Sequence, residues 1–537
     1  MSDLRDKMLA VIADVNAEVA EREELIELIA VALLTRNNLF ILGKPGQAKS
    51  YSINLFRRHI TGARQFERLL SKQTDEEQLF GRIDLASIIP GSAPEALFKD
   101  SSVYLEKKRA LEAAIDDYAQ FPNEPSSLHK VEQLTAELES LHRALVAVYH
   151  TGEPSVQTAG KIPESEIVFL DECPWMDTPR SDFLAALDHF WNGWCTMRKD
   201  ILLIICGSAA SWVLNKIDND VGGLYNRLSR HIYLRPFSLH ECEEFARAKG
   251  VVMNRMQLLE CYMILGGVPY YWDLLHSDLG MAQNVDALLF APGAELRREY
   301  GHLYASLFRN PDPYVAIIRA LSRKKCGMTR DEVIRQSGVP GNGKLTEMLK
   351  VLEQCDFIRA YSVPGNRKKD RVFQLVDNFT LFYFRFIEGE DHPPADYWRT
   401  FSATQEASVW RGLAFERVAL LHVDQIKRKL GISGVITRQY AWRRRTSDEG
   451  DEGAQIDLVI ERNDAVTNLC EMKCTSEPFE ISDAYDAKLR GRREAFLSET
   501  GTKNAVHLTI VSANGLKRNA NAFDVQSLVT LDDLFQA

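Results

Sequence analysis

Apolar positions recur at helical spacing over residues 4–36: Leu4, Met8, Val11, Ile12, Val15 and Val19, then Leu25, Ile26, Leu28, Ile29, Val31, Leu33 and Leu34. Side chains three and four apart share one helical face, so two helices are predicted. Asn37-Asn38 makes a turn after the second, and Leu39–Leu42 is a continuous apolar run that reads as a strand. Two further runs, Ile167–Leu170 and Leu202–Ile205, have the same buried-strand character, and His231–Leu234 is a fourth strand. Continuous apolar strands separated by helical pattern predict an α/β core. Residues 93–150 break from it. Charged and apolar positions alternate at helical spacing over 102–118 and 127–149, separated by Phe121-Pro122-Asn123-Glu124-Pro125. This reads as a helical hairpin insert, either a partner-recruiting element or a solvated arm.

The pattern changes again downstream. Residues 238–310 are helical, with Ser238 and Glu241 spaced as a capping box and a turn at Gly266-Gly267-Val268-Pro269. Residues 313–376 read as a winged helix. Helix 313–323 precedes a helix 330–337 capped by Thr329. Lys344–Gln354 is a recognition-like helix, and Phe357–Tyr361 with Val372–Val376 forms a hairpin tipped by Pro364-Gly365-Asn366-Arg367-Lys368-Lys369. A basic tip suits phosphate contact, and such units serve equally as protein-interaction modules. Residues 377–411 are aromatic-rich (Phe379, Phe382, Tyr383, Phe384, Phe386, Tyr397, Trp398) and read as packing the winged helix against the last domain, with Glu388–Pro394 as the linker candidate. From 405 the order is helix, strand, strand, helix, strand. The resulting division is 1–237, 238–312, 313–378, a linker 379–404, and 405–537.

Length agrees, since 537 residues call for roughly three to four domains. The fractions, 45% hydrophobic and 26% charged, are those of a soluble globular protein. No apolar run reaches the ~18 residues of a membrane span, so no membrane partner is expected. Nine cysteines without CxxC spacing read as reduced thiols in the cytoplasm. A net charge of −10 excludes an all-over nucleic-acid coat and leaves room for local basic patches.

The candidate chemistry begins at Gly43-Lys44-Pro45-Gly46-Gln47-Ala48-Lys49-Ser50, between the first strand and a helix. It fits G-x-x-x-x-G-K-[ST], with Ala48 where the second Gly belongs. Backbone N–H groups of such a loop curl round a phosphate, Lys49 reaches the β and γ phosphates, and Ser50 ligates Mg²⁺. A second apolar strand ends in Asp171-Glu172. Asp171 there holds the Mg²⁺ water shell, and Glu172 is the candidate general base for an attacking water. ATP and Mg²⁺ are the implied cofactors.

In the last domain, Gln455–Ile460 is a strand carrying Asp457, and Asn468–Lys473 is the next strand. Alternation puts Glu471 and Lys473 on one face, and an antiparallel neighbour can bring Asp457 beside them. Glu416 stands on the preceding helix. Lys488, Arg490, Arg492 and Arg493 are candidate phosphate contacts. Trp442-Arg443-Arg444-Arg445 is a charged loop that either guides DNA or pairs with the acids after it.

Three resemblances rest on these residues. The loop, followed by Phe66, Glu76, Glu77 and Leu79-Phe80-Gly81, resembles the MoxR branch of the AAA+ ATPases, RavA-type members in particular. Gly160–Glu166 matches as well, so this likeness covers about 1–172. From Cys173-Pro174-Trp175-Met176 onward the chain resembles archaeal-type ATPases of the STAND/Orc-like group, a likeness covering about 167–537. The Asp…Glu-x-Lys arrangement resembles the PD-(D/E)XK nuclease core, which implies that Asp457 and Glu471 hold Mg²⁺ at a scissile phosphate, with Lys473 orienting or activating water and Glu416 as a further ligand. The module is then either an active nuclease or a nucleic-acid-binding or inert one. These imply a multidomain α/β protein with a P-loop NTPase three-layer αβα core, a helical lid at 238–312, a winged helix, and a restriction-endonuclease-like α/β domain. They also imply that Ser208 is a γ-phosphate sensor and that Arg227 or Arg230 stabilises transition-state charge. The two ATPase likenesses meet at Ile167–Glu172, by recombination at a shared strand or through a composite gene model. The functional expectation is an ATP-hydrolysing switch coupled to DNA. The alternatives are a MoxR-type remodeller of protein partners, assembling as a homo-oligomer, and a nucleotide-binding scaffold with little hydrolysis.

Overall fold

The computed structural model describes residues 2–19, 22–35, 39–43, 46–59, 64–69, 166–171, 183, 186–187, 190–191, 201–207, 230–308, 310–361, 371–390, 393–394, 396–444 and 454–537. The hairpin insert 93–150, the tip 364–369 and the charged residues after Arg444 lie outside them. The chain forms two compact units. One joins Met1–Met8 to Arg58–Ile205, and the other joins Leu9–Arg57 to Cys206–Ala537.

In the first unit, strands β2 (Arg64–Leu69), β3 (Glu166–Asp171) and β4 (Ile201–Gly207) run parallel, with β3 in the middle. Val168 stands between Phe66 and Leu203. Phe169, Leu170 and Leu202–Ile205 are buried. A strand paired on both edges and covered on both faces has no wet side, which is why the pattern is a continuous run rather than an alternation.

The second unit starts from β1 (Leu39–Gly43), which pairs in parallel with β5 (Arg230–Leu234), Ile41 opposite Ile232 and Gly43 opposite Leu234. Beyond β5 the capping box forms at Ser238 and Glu241 and starts the helix Leu239–Ala248. The helix Arg255–Leu265 buries Leu258, Leu259 and every residue from Cys261 to Leu265. A helix apolar nearly all round belongs at the centre of its unit, and the helices Asn378–Phe386 and Gln405–Leu421 pack on it. The turn after it, Gly266-Gly267, allows no side chain at Gly267. A Cβ there would stand 2.0 Å from the Phe237 carbonyl oxygen.

Helices Asp312–Ser322, Arg330–Ser337 and Gly343–Gln354 accompany a three-stranded antiparallel sheet of β6 (Met328–Thr329), β7 (Ile358–Tyr361) and β8 (Val372–Leu375), with β8 central. The aromatic positions of 379–404 pack, and the division that makes this whole span a linker does not hold. Helices Asn378–Phe386 and Tyr397–Phe401 lie there, and Trp398 is fully buried among Phe382, Phe386, Phe401 and Trp410. The buried Asp286 accepts hydrogen bonds from Trp398 N at 2.7 Å and Arg399 Nε at 2.9 Å. Aromatic content at 379–401 is therefore core, not spacer.

The C-terminal module is a mixed sheet in the order β13-β12-β11-β10-β9, formed by Ser527–Thr530, Ala505–Ser512, Val466–Lys473, Ala454–Arg462 and Thr437–Arg444. Helix Asp483–Thr500 covers one face through Phe496, packed with Trp442, Val459 and Leu469.

His422, which follows helix Gln405–Leu421, ties these parts together. It is fully buried, its Nε2 accepts from Leu239 N at 2.9 Å, and its Nδ1–H points at Val418 O, 2.7 Å away. Burial pushes its pKa down from 6.5 to about 4. The unfolded chain then binds more protons than the folded one in this window. His422 thus contributes stability above pH 6.5 that is lost as pH falls toward 4, about 3 kcal/mol at 1.36 kcal/mol per unit. Urea unfolding across this range should show that acid loss, and His422→Gln should flatten it.

Candidate functional site

The loop after β1 is shaped by three residues with special backbone needs. A Cβ on Gly43 would lie 3.0 Å from Leu234 Cβ and its carbonyl oxygen. Gly46 has φ +77°, and a Cβ there would lie 2.9 Å from Tyr270 Cβ. Ala48 sits at φ 59°, the left-handed region where glycine is at ease, which explains why the pattern places Gly at this position. Its carbonyl accepts from Ser52 N at 3.0 Å and Ser52 Oγ at 2.9 Å. The helix Lys49–Arg58 follows at once, directing its N-terminal N–H groups and positive dipole end toward the loop. Lys49 is buried, its Nζ donating to Gly43 O at 2.7 Å across the turn. Ser50, beside it, is half-buried.

Two partners of this loop escape sequence reasoning. Arg22 Nη2 donates to Gln47 Oε1 at 2.9 Å, its Nε points to Gln47 O at 3.4 Å, and its guanidinium lies 4.6 Å from the Phe237 ring centre. Tyr270 N donates to Gly46 O at 3.2 Å. No motif marks Arg22, which stands between two helices. The Gly266–Pro269 turn was visible, but not the surface it meets.

Of the other expected ATP-site residues, Asp171 ends β3 and is 9% exposed. Arg230 is the first residue of β5. Lys44, Pro45, Glu172, Ser208 and Arg227 lie outside the described residues.

The C-terminal module brings together the second set. Strands β10 and β11 are antiparallel with Leu458 opposite Cys470, and Asp457 and Glu471 are the next residues along each. Lys473 Nζ is 2.9 Å from Glu471 Oε1. It also lies 4.8 Å from the Tyr485 ring centre and 5.7 Å from that of Phe479. Arg492 Nη1 reaches Glu471 Oε2 at 2.6 Å, and the Tyr485 hydroxyl donates to Oε1. Burial pushes the Glu471 carboxyl up, but the Lys473 and Arg492 charges outweigh it and hold the group below the usual range. Asp457 is raised by burial and by the Glu471 charge beside it.

Glu416 comes from helix Gln405–Leu421, which is held by Trp410 in the aromatic core and by Arg411, 2.9 Å from Glu260. Burial, then the Asp457 charge, pushes Glu416 up to about 7. Its carboxylate pairs with Lys325 Nζ, which also stands 3.8 Å from Asp457 Oδ1. Carboxylate oxygens suit Mg²⁺, and a protein ammonium paired with Glu416 and 3.8 Å from Asp457 is a stand-in cation, so these residues fit a divalent ion. The set is spread, however. Among the described residues, the group whose ligand atoms all lie within 4.8 Å of one another is His240, Glu243 and Glu244. Its acids are paired with Arg255 at 2.8 Å and Arg247 at 2.5 Å. Glu416, Asp457 and Glu471 do not close to that spacing, because Lys325 draws the first two and Lys473 with Arg492 the third.

Two of the arginines read as phosphate contacts on helix Asp483–Thr500 are turned to acids. Arg492 binds Glu471, and Arg490 binds Asp486 at 2.9 Å and Asp524 at 3.2 Å. Trp442–Arg444, read as a loop, is the end of β9. Arg443 and Arg444 line a cavity of about 750 Å³ with Lys325, Glu416 and Asp457.

Among the described residues, no helix is long and apolar enough to cross a membrane. Residues 6–97 match the family described as the MoxR domain in MoxR-vWA-beta-propeller ternary systems. The uncharacterized protein MJ0079 of Methanocaldococcus jannaschii is 32% identical over 88 residues, 16% of this chain and 23% of that protein. A second uncharacterized protein of that organism, MJ0812, is 33% identical over 75 residues, 14% of this chain and 20% of that one. The chain thus spans less than a quarter of the length of these curated relatives. Among solved structures, the Walker-type ATPase PABY2304 of Pyrococcus abyssi aligns with 68% of this chain and 96% of its own, at 16% identity and TM-score 0.38. The ORC2 protein of Aeropyrum pernix aligns with 72% of this chain and 96% of its own, at 14% identity and TM-score 0.33.

Proposed function

We propose that this protein is an AAA+-type ATPase that binds and hydrolyses ATP with Mg²⁺ and couples the cycle to DNA. The phosphate loop carries the reading: a left-handed backbone at Gly46 and Ala48 leads into a helix opened by a buried lysine. In this reading the loop N–H groups and Lys49 hold the β and γ phosphates. The loop motif assigns Ser50 to Mg²⁺, and the acidic strand end assigns Asp171 to a metal's water shell and Glu172 to polarising the attacking water. Ser208, Arg227 and Arg230 take the sensor and charge-stabilising roles. Residues 313–378 act as a winged helix, and residues 238–312 as a lid.

A second activity is favoured by the Asp457, Glu471 and Lys473 constellation. We assign Mg²⁺-dependent phosphodiester cleavage to it. The ion supplies Lewis-acid stabilisation of charge at the scissile phosphate when bound. Asp457 and Glu471, with Glu416, would hold it, and Lys473 would orient the attacking water. Tyr485 and Phe479 flank the Lys473 ammonium and limit its wandering. The test is a cleavage assay on linear and circular duplex DNA in Mg²⁺, with ATP hydrolysis followed in the same tubes. Lys473→Ala should reduce cleavage about a hundredfold or more while leaving hydrolysis intact. Cleavage undiminished in that variant would remove the nuclease assignment. ATP turnover indifferent to DNA would remove the coupling.

A further inference from the structure

Two of the carboxylates that line the 750 Å³ cavity, Glu416 and Asp457, face a lysine from another module. Lys325 lies in the turn between helix Asp312–Ser322 and β6, and its ammonium sits on Glu416 and Asp457. We propose that Lys325 is a built-in competitor for the divalent-cation site, holding Glu416 and Asp457 closed until the turn is withdrawn. The inference rests on the metal-site reading given above.

The turn is constructed to present that lysine rather than to let it roam. Gln374 Nε2 donates to Lys325 O at 2.6 Å, and the Tyr361 hydroxyl donates to Cys326 O at 2.7 Å. Gly327 N closes the turn on Lys324 O at 2.9 Å. Gly327 has φ +74°, and a Cβ there would stand 2.5 Å from Phe373 O, so this turn needs glycine to lie against β8. Lys324 is pinned to Glu332 at 2.6 Å and therefore points to its own module, while its neighbour Lys325 reaches across. From the C-terminal side, Arg443 Nη1 meets Cys326 Sγ at 3.5 Å.

Charge accounting explains why a lysine belongs here. Glu416 and Asp457 have side chains only 15% and 13% exposed, and like charges at such burial repel strongly. Glu471 has its own cations in Lys473 and Arg492. One further positive charge is needed for the remaining pair, and either an ammonium or a metal ion can supply it. The two are mutually exclusive, because both use the same oxygens. Withdrawal of the turn opens the cavity and frees Glu416 and Asp457 together. Metal loading is thereby linked to the position of the 312–375 module, the part read as touching DNA.

The experiment uses the full chain and Mn²⁺ alone, with bound ion read by calorimetry and by loss of the free-ion electron paramagnetic resonance signal. Lys325→Ala, and Lys325→Met as a variant that keeps the apolar stem, should bind Mn²⁺ about tenfold more tightly than the parent chain. Asp457→Asn should abolish the gain in the double variant. Equal or weaker Mn²⁺ binding in folded Lys325→Ala and Lys325→Met overturns the competitor role while leaving the metal site standing. If neither the parent nor the lysine variants bind Mn²⁺ in a manner sensitive to Asp457→Asn, the metal-site reading itself falls. Circular dichroism of each variant separates these results from unfolding.

Discussion

Lys49→Ala is expected to lower ATP hydrolysis by about 10²–10³, the cost of removing one preorganised charge-stabilising group. The expectation follows from where the ammonium sits. Lys49 opens the helix after the loop, is buried, and spans the turn to Gly43 O at 2.7 Å. A phosphate entering the curve of N–H groups offers that ammonium a full negative charge in place of a carbonyl dipole, and charge-assisted bonds are about twice as strong as neutral ones. Alanine removes the positive charge and leaves the loop backbone. Part of the phosphate grip therefore survives, and binding of a fluorescent ATP analogue should weaken less than turnover does. Glu172→Gln should give the complementary result, with ATP retained and turnover lost. Steady-state phosphate release on the three proteins decides the matter, and equal rates in all three would sink the ATPase assignment.

Trp398→Ala should cost about 3–5 kcal/mol of stability, the range for truncating a large buried aromatic. Trp398 is fully buried, with ring centres of Phe382 at 5.1 Å, Trp410 at 5.2 Å, Phe386 at 5.4 Å and Phe401 at 5.5 Å. Its Nε1 donates to Glu260 Oε1 at 3.2 Å, and its backbone N donates to Asp286. It touches helices that begin at Arg255, Asn378 and Gln405, so its loss loosens several elements at once. Trp398→Phe keeps most of the ring and forfeits the indole N–H, and should cost about 1–2 kcal/mol. Urea midpoints followed by far-ultraviolet circular dichroism measure both. A shift in the alanine variant no larger than in the phenylalanine variant would show that this cluster is not the core we take it to be.

The contrast between these two residues shows what a linear pattern reports. Lys49 was found by spacing alone, because a phosphate loop is made of consecutive backbone groups and its needs are local. The Ser238–Glu241 capping box was found the same way, and so was the shared face of Glu471 and Lys473. Trp398 stands in an aromatic-rich stretch that reads as packing, but its composition does not say against what, and the Gly, Glu, Asp and Pro residues just before it resemble a connector. Its burial is decided by Asp286 and Glu260, more than a hundred positions away.

The same distinction runs through the candidate sites. By itself the sequence determined the strand-loop-helix that can cradle a phosphate, the acidic end of β3, and the strand alternation that aligns two ionic side chains on β11. Each depends on φ/ψ preference, period and spacing over a few residues, and those are written in order along the chain. Only the tertiary structure decided that Arg22 braces Gln47 and that Tyr270 closes on Gly46. It likewise decided that Arg492 serves Glu471 rather than a phosphate, and that Lys325 of one module neutralises Glu416 and Asp457 of another. A charged side chain carries no mark of its partner. Which opposite charge it meets is set by how buried faces bring distant segments together, and at low exposure that pairing is what makes burial of the charge tolerable.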